Sequence, residues 1–322
     1  MVSGMTLQQL RTFTAVARHG SLTLAARELG VTVPAVSAAL ASLRREFGDE
    51  LVIRSGSGTA LTPGGMRLAA AAAEMVGIAD QARRSVQEAR EGSSVLRIAA
   101  TNEIGEYVIG PLVDAFREGR PRLQVAATST MALEFERMLR DHRADVALGP
   151  RVVGEGIDCI PFLRVRMIVV AARGHSLAGR GRLEPSALHR HPWVIGPAGA
   201  DAHTPLAGVG RALGIPLERF TELPSQAGAL AAIEAGEGIG PALSHVVTGE
   251  LDRGALVRLD VPGSPFEALW HFSSLEAGRR VDAASVLRRF IVQPEATRAI
   301  LTRSAGGGTR IRPAVHVTIW SG

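Results

Sequence analysis

Through the first fifty residues, apolar positions return every three or four places, which is the period of a helix with one buried face. Leu7, Leu10, Phe13, Val16 and Ala17 give an amphipathic helix over residues 5–18. A short second helix, Leu22–Leu29, follows Ser21 as its N-cap, uses Ala25 and Ala26 for close backbone approach, and stops at Gly30, which takes the left-handed turn without steric cost. Thr32 caps a third helix that tolerates Pro34 in its first turn, where the amides lack intrahelical acceptors. Val36, Leu40, Leu43 and Phe47 step by four, three and four and define its buried face. Val33, Pro34, Ser37, Ala38, Ala41 and Arg44 then face outward, and most of them are small. The run LVIRSGSGTALTPGG adds two short β-prone pieces about a Gly/Ser turn, a hairpin or wing that carries Arg54. Two short helices at an angle followed by a wing predict an all-α winged helix-turn-helix, with the third helix suited to a DNA major groove.

The pattern then changes twice. From residue 66 to 91 there is no proline, and Leu68, Ala72, Met75, Ala79, Ala82, Val86 and Ala89 alternate steps of four and three, a heptad seam over three repeats. This predicts a long linker helix, which either pairs with a second copy or lies on its own domain. Pairing is favoured because one helix-turn-helix reads few base pairs and a two-fold partner supplies a second half-site. After Gly92, Ser93 and Ser94, the β-prone runs VLRIAA, LQVAAT, ADVALG, MIVVAA and HPWVIG alternate with helical segments such as EYVIGPLVDAFREG and QAGALAAIEAG, an α/β pattern reaching about residue 292. The remainder is a short helix, a Gly-rich linker and the alternating VHVTIW, where Val315, Val317 and Ile319 share a face; it suits an edge strand or a contact with a neighbouring subunit.

Composition adjusts this picture only slightly. The chain has 322 residues, 46% hydrophobic, enough for two or three domains with cores of their own. The start lacks the pattern of a secretory signal and no later run is long and apolar enough to span a bilayer, so a cytoplasmic protein is expected. The single cysteine, Cys159, lies in the apolar run GIDCIPFL and reads as a small core residue. The formal net charge of +5 permits an anionic partner. All of the basic residues are Arg along the whole length, a compositional bias more than a basic surface.

Residues 5–65 resemble the N-terminal domain of LysR-type transcriptional regulators: GSLTLAARELGVTVPAVSAAL matches the family's helix-turn-helix and LVIRSGSGTALTPGG its wing. The α/β region resembles the family's effector domain, a two-lobed fold like that of type 2 periplasmic solute-binding proteins. The resemblance implies a DNA-binding domain over 1–65, a linker and dimerisation helix over 66–92, an effector domain over 93–292, and an extension over 293–322. One lobe would comprise about 93–163 with 263–292, and the other 164–262. It also implies the partners: operator or promoter DNA, a small-molecule effector of unknown identity, further copies of the chain in a homodimer or homotetramer, and RNA polymerase, with no membrane, cofactor or metal. The implied DNA-contacting set is Ser21, Thr32, Val33, Pro34, Ser37, Arg44, Arg54 and Thr62, with Pro34 and Ser37 at base edges and Arg54 and Thr62 on the backbone. The implied effector set is Thr101, Asn102, Ser129, Thr130, Gly199, His203 and Ser225, where strands end and helices begin. N-capping is the competing role for the hydroxyls among them.

Three departures from the family pattern matter. Val33 stands where Gln is common and offers a base only an apolar contact. Ser57 replaces a second wing Arg, removing a phosphate or minor-groove partner. In GPAGADAHTP, Ala200, Ala202 and His203 replace the hydroxyls and Arg of the family's GSGTR loop, which weakens the expectation of a strongly acidic ligand. The stretch TNEIGEYVIGPLVDAFREG is also similar to regulators of carbon-fixation genes, although one helix names no ligand. Enzyme motifs fail: in GVGRALG the last glycine falls out of place for a dinucleotide fingerprint, and GEGIGPAL is explained by backbone geometry. His189 and His191 have no third ligand in register, and neither a nucleophile elbow nor a Walker motif is present.

Overall fold

The computed structural model describes residues 4–56, 58–197, 204–304 and 317–319, in two compact units. The first spans Met1–Glu91 with Arg140–Arg143, and the second takes the remainder.

In the first unit α1 (Leu7–His19), α2 (Leu22–Leu29) and α3 (Val33–Phe47) precede a hairpin of β1 (Val52–Ser55) and β2 (Gly58–Leu61), and α4 (Pro63–Glu91) follows. Local signals set the helix ends. Thr6 and Gln9 form a reciprocal capping box at α1, with Gln9 N donating to Thr6 Oγ1 at 3.2 Å and Thr6 N to Gln9 Oε1 at 2.8 Å. Gly20, Gly30 and Gly48 close the three helices in the left-handed conformation. The core joins Leu10, Phe13 and Val16 of α1, Ala25 and Ala26 of α2, and Val36, Leu40 and Leu43 of α3. Phe47, expected on that face, is instead 46% exposed, because the last turn of α3 lies outside this cluster.

The linker seam is likewise divided. Ala72 is fully buried in the first unit's core and Leu68 packs against it, whereas Met75, Ile78 and Val86 are exposed. The front of α4 therefore stabilises its own domain, and an apolar face begins only at Met75, joined by Ile78, which the heptad assignment omitted.

The second unit is built on one mixed sheet. In chain order its elements are β3 (Ser94–Ala100), α5 (Asn102–Tyr107), α6 (Ile109–Arg117), β4 (Leu123–Ser129), α7 (Phe135–Arg140), β5 (Val146–Gly149) and β6 (Ile157–Ala172). Then come α8 (Pro185–Leu188), β7 (Trp193–Ile195), α9 (Pro205–Ala212), β8 (Phe220–Glu222), α10 (Gln226–Glu234), β9 (Ile239–Leu243), α11 (Thr248–Asp252) and β10 (Leu256–Leu259). The chain ends with β11 (Phe266–Leu275), α12 (Asp282–Ile291), α13 (Pro294–Ser304) and β12 (Val317–Ile319). The strand order is β12-β4-β3-β5-β11-β6-β9-β7-β8, with β10 also paired to β6. Parallel β3, β4 and β5 form one lobe, and parallel β7, β8 and β9 the other.

The long antiparallel strands β6 and β11 run through both lobes. Their register shifts where Trp270 faces Leu163 and His271 faces Pro161, leaving Phe162 as the extra residue. A proline has no amide to give the ladder, so the irregularity falls where pairing is weakest. Of the two fates open to the C-terminal extension, the described part adds an edge strand, β12, parallel to β4. Val315 lies outside the described residues. Cys159 is partly buried and accepts a hydrogen bond from Ser273 Oγ at 3.3 Å.

An ion-pair network fastens the C-terminal return to β6. Asp158 Oδ2 accepts from Arg280 Nη2 at 2.6 Å and Arg288 Nε at 2.8 Å, and Arg280 Nε also donates to Ser274 Oγ at 2.7 Å. Burial alone would raise the Asp158 carboxyl, but the two guanidiniums outweigh it and hold it below the ordinary range. Its stabilising contribution is then present above the unfolded value near about 4 and lost as pH falls through the lower folded value. Asp158→Asn should cost about 1–3 kcal/mol in urea unfolding at neutral pH, with the gap to wild type closing in acid.

Candidate DNA-binding and effector sites

The second and third helices meet at 109°, within the range for a helix-turn-helix. Ser21 and Thr32 are both N-caps: Ser21 Oγ accepts from Leu24 N at 3.4 Å and Thr32 Oγ1 from Ala35 N at 3.3 Å. Their hydroxyls thus orient α2 and α3 before any contact outside. Val33, Pro34, Ser37, Ala38 and Ala41 are exposed, so α3 presents a low, small-residue surface. Arg54 is exposed on β1 opposite Thr59 and has no hydrogen bond or ion pair among the described residues. Arg18 and His19 of α1 are both spent on Glu28 of α2.

Two residues assigned to DNA from the sequence also bond within the protein. Arg44 turns back to the protein, with Nε donating to the Glu50 carbonyl at 2.7 Å and Nη2 to the Val52 carbonyl at 2.8 Å. Thr62 Oγ1 accepts from Gly65 N at 2.9 Å as the cap of α4 and donates to Asp49 Oδ1 at 2.8 Å. These bonds surround Leu51, a buried residue held at φ 58, where a side-chain-bearing residue carries strain of about 1–3 kcal/mol. Asp49 Oδ1 also receives Leu51 N at 2.6 Å. A Cβ on Gly65 would fall 1.9 Å from the Leu51 carbonyl, so only glycine fits there. Arg44, Asp49, Thr62 and Gly65 therefore fix the root of the wing.

In the second unit Thr101, Asn102, Ser129 and Thr130 gather at the carboxyl ends of β3 and β4. Thr101 is 2% exposed, and its Oγ1 has no hydrogen-bond partner among the described residues. Its backbone amide donates to the Leu148 carbonyl at 3.3 Å, and Thr130 N donates to the Ala100 carbonyl at 2.9 Å. A Cβ on Gly105 would fall 2.5 Å from Ser129 Oγ, which shows how closely that hydroxyl approaches the α5 backbone. Asn102 bridges the lobes through its side-chain amide, which donates to the Pro197 carbonyl. Ser225 caps α10, accepting from Gly228 N at 2.9 Å. Gly199 and His203 lie outside the described residues.

Sequence reasoning missed a second bridge. The Glu106 carboxylate accepts from Gln226 N at 3.0 Å and from Ala227 N at 2.8 Å, so α5 of one lobe is tied to the amino terminus of α10 in the other. Asn102 and Glu106 are four apart, hence on one face of α5, a spacing visible in the sequence; their partners are about a hundred residues away. Burial, and then the neighbouring Glu106 carboxylate, push the Tyr107 phenol far up, so it stays protonated. A separate groove of about 720 Å³ lies among Pro150, Arg151, Met167, Arg211, Phe266 and Leu269, and among the described residues none of those assigned to the effector from the sequence lines it. Of the histidines tested as metal ligands, His191 meets His175 edge to face at 4.7 Å, and His189 Nε2 faces the Leu213 carbonyl.

Residues 7–66 match the bacterial regulatory helix-turn-helix proteins of the lysR family, and residues 89–294 match the LysR substrate binding domain. An uncharacterized HTH-type transcriptional regulator of Mycobacterium tuberculosis is 35% identical over 322 residues, 98% of this chain and 100% of that one. A RuBisCO operon transcriptional regulator of Allochromatium vinosum is 26% identical, over 91% of this chain and 97% of its own. The fold is shared with a full-length OxyR variant of Pseudomonas aeruginosa, at 19% identity and a TM-score of 0.59, covering 90% of this chain and 98% of that one. The chain belongs to the LysR family of transcriptional regulators, with a helix-turn-helix DNA-binding domain and a substrate-binding effector domain. These relatives and domains are regulators and not enzymes. Among the described residues no single helix is long and apolar enough to cross a membrane.

The wing root yields a test. The Leu51 amide first, and then the Thr62 hydroxyl, hold the Asp49 carboxyl below its ordinary range. Its contribution is therefore present above the unfolded value and lost as pH falls through the folded one. Asp49→Asn should lower the melting temperature of the DNA-binding unit at neutral pH, and the two curves should converge in acid, as thermal melts across pH will show.

Proposed function

We propose that this chain acts in the cytoplasm as a homo-oligomeric regulator in which α3 reads a major groove, Arg54 of the wing contacts the DNA backbone, and a small metabolite enters the cleft between the effector lobes. The exposed small-residue face of α3 carries the DNA reading, since a groove-inserted helix needs a surface of that shape. Pro34 and Ser37 sit at base edges, with Val33 making apolar contact. The exposed stretch of α4 from Met75 through Ile78 to Val86 supplies an apolar face for a second copy, giving a dimer and, by pairing of dimers, a tetramer. Functionally the chain divides into DNA-binding, linker, two-lobed effector and C-terminal segments at 1–65, 66–92, 93–292 and 293–322, and contact with RNA polymerase completes the regulatory step.

Sensing works by differential affinity. A metabolite that favours one arrangement of the lobes over another shifts the oligomer, and with it the spacing of the two DNA contacts; one that binds both arrangements equally changes nothing. The cleft assignment is supported by Thr101, whose buried hydroxyl stands beside the interlobe bridge with no partner among the described residues. Footprinting on DNA flanking the chain's own gene and on RuBisCO operon promoters, with and without a metabolite panel, tests DNA binding and sensing together. The relative from A. vinosum motivates the second set of fragments.

Arg54→Ala should weaken binding to all fragments alike and reduce the salt slope by about one unit; relaxed preference at a single base pair would contradict its backbone role. Thr101→Ala should leave DNA binding intact and abolish the ligand-dependent change in the footprint, measured on the same fragments.

A further inference from the structure

The amino terminus of α10 has the equipment of an anion site. Its first two amides, from Gln226 and Ala227, point to one acceptor, and Ser225 completes the cap. In this chain both amides are already taken by the Glu106 carboxylate, delivered from the opposite lobe. Glu106 is exposed, which places this contact at the rim of the cleft. Inside the rim two buried groups have no partner among the described residues: Gln226 Nε2, in a side chain 5% exposed, and Thr101 Oγ1, in one 2% exposed. Both adjoin the second interlobe bridge. Thr101 precedes Asn102, and the Gln226 amide packs on Gly196, where a Cβ would fall 2.5–2.8 Å from its atoms, one residue before the Pro197 carbonyl that Asn102 holds. A buried amide or hydroxyl left unpaired is destabilising, and a ligand bonded to it recovers that loss. Both groups are uncharged, and the fully buried Glu103 beside Asn102 adds a further acidic side chain to this segment.

We propose that the amino terminus of α10 is an anion site that the chain fills with its own Glu106 carboxylate, so that the cleft receives an uncharged, hydrogen-bonding effector and excludes carboxylates and phosphates from that position. This rests on the assignment of the interlobe cleft as the sensing site. Gln226 and Thr101 then recognise the effector through hydrogen bonds, and the two bridges from α5 hold the lobes together whether or not an anion is present.

The test uses the full chain without DNA, so its outcome is separable from that of any footprint. Melting is followed at constant ionic strength while sodium acetate, or inorganic phosphate, replaces sodium chloride. Wild type should show only the shallow, general stabilisation that acetate and phosphate give any folded protein. Glu106→Ala should melt lower in chloride and regain stability with acetate or phosphate beyond that shared effect and in a saturable way, while an exposed control, Glu118→Ala, follows wild type. Equal anion stabilisation of wild type and Glu106→Ala would overturn the proposal, and so would a folded Glu106→Ala indifferent to both anions. Should Glu106→Ala fail to fold, Glu106→Gln keeps the shape and removes the charge. The Gln226 and Ala227 amides should then exchange with solvent about tenfold faster than in wild type, the difference between a charged and a neutral acceptor; unchanged exchange would refute the role given to Glu106.

Discussion

Burial of Val36, Leu40 and Leu43 against α1 and α2 decides which way α3 faces, and the rest of the DNA-binding surface follows from that choice. A helix with one apolar stripe has a single favourable rotation about its axis. Once that stripe is inward, Val33, Pro34, Ser37 and Ala41 must be outward. The N-caps at Ser21 and Thr32 and the left-handed glycines at 20, 30 and 48 set the lengths of the three helices. The wing is then fixed to α3 through Arg44, which grips the carbonyls on both sides of the strained Leu51. Arg44 thereby holds the wing that carries Arg54.

The effector domain solves a different problem, that of holding two lobes together. The continuous strands β6 and β11 join them, with the register shift at Phe162 and Trp270 where the pairing passes from one lobe towards the other. Across the cleft, α5 contributes both described bridges, Asn102 to Pro197 and Glu106 to α10. One short helix thereby ties the end of β3 to the second lobe.

What the sequence made legible was local. Caps, the terminating glycines, the bounds of α2 and the inward stripe of α3 are encoded within a few residues of where they act. Phe47 continues the stripe in sequence, yet lies beyond the core in space, and periodicity cannot register where a neighbouring helix ends. The same limit divided the α4 seam, because a heptad pattern does not say whether Leu68 and Ala72 pack on a partner or on their own domain. Arg44 and Thr62 were assigned by position, whereas their bonding depends on Asp49, Glu50 and the turn at Leu51. Glu106 was missed because its partners stand about 120 residues later, although its spacing from Asn102 marked a shared face.

The central claim, that the small-residue face of α3 enters DNA, is tested most directly by Ser37→Glu in the full chain. A carboxylate there leaves the buried stripe untouched and faces an anionic duplex, a repulsion of several kcal/mol. Affinity for a footprinted fragment, measured by mobility shift at fixed salt, should fall on the order of a hundredfold with the melting temperature unchanged. Undiminished affinity in a folded variant would contradict the account.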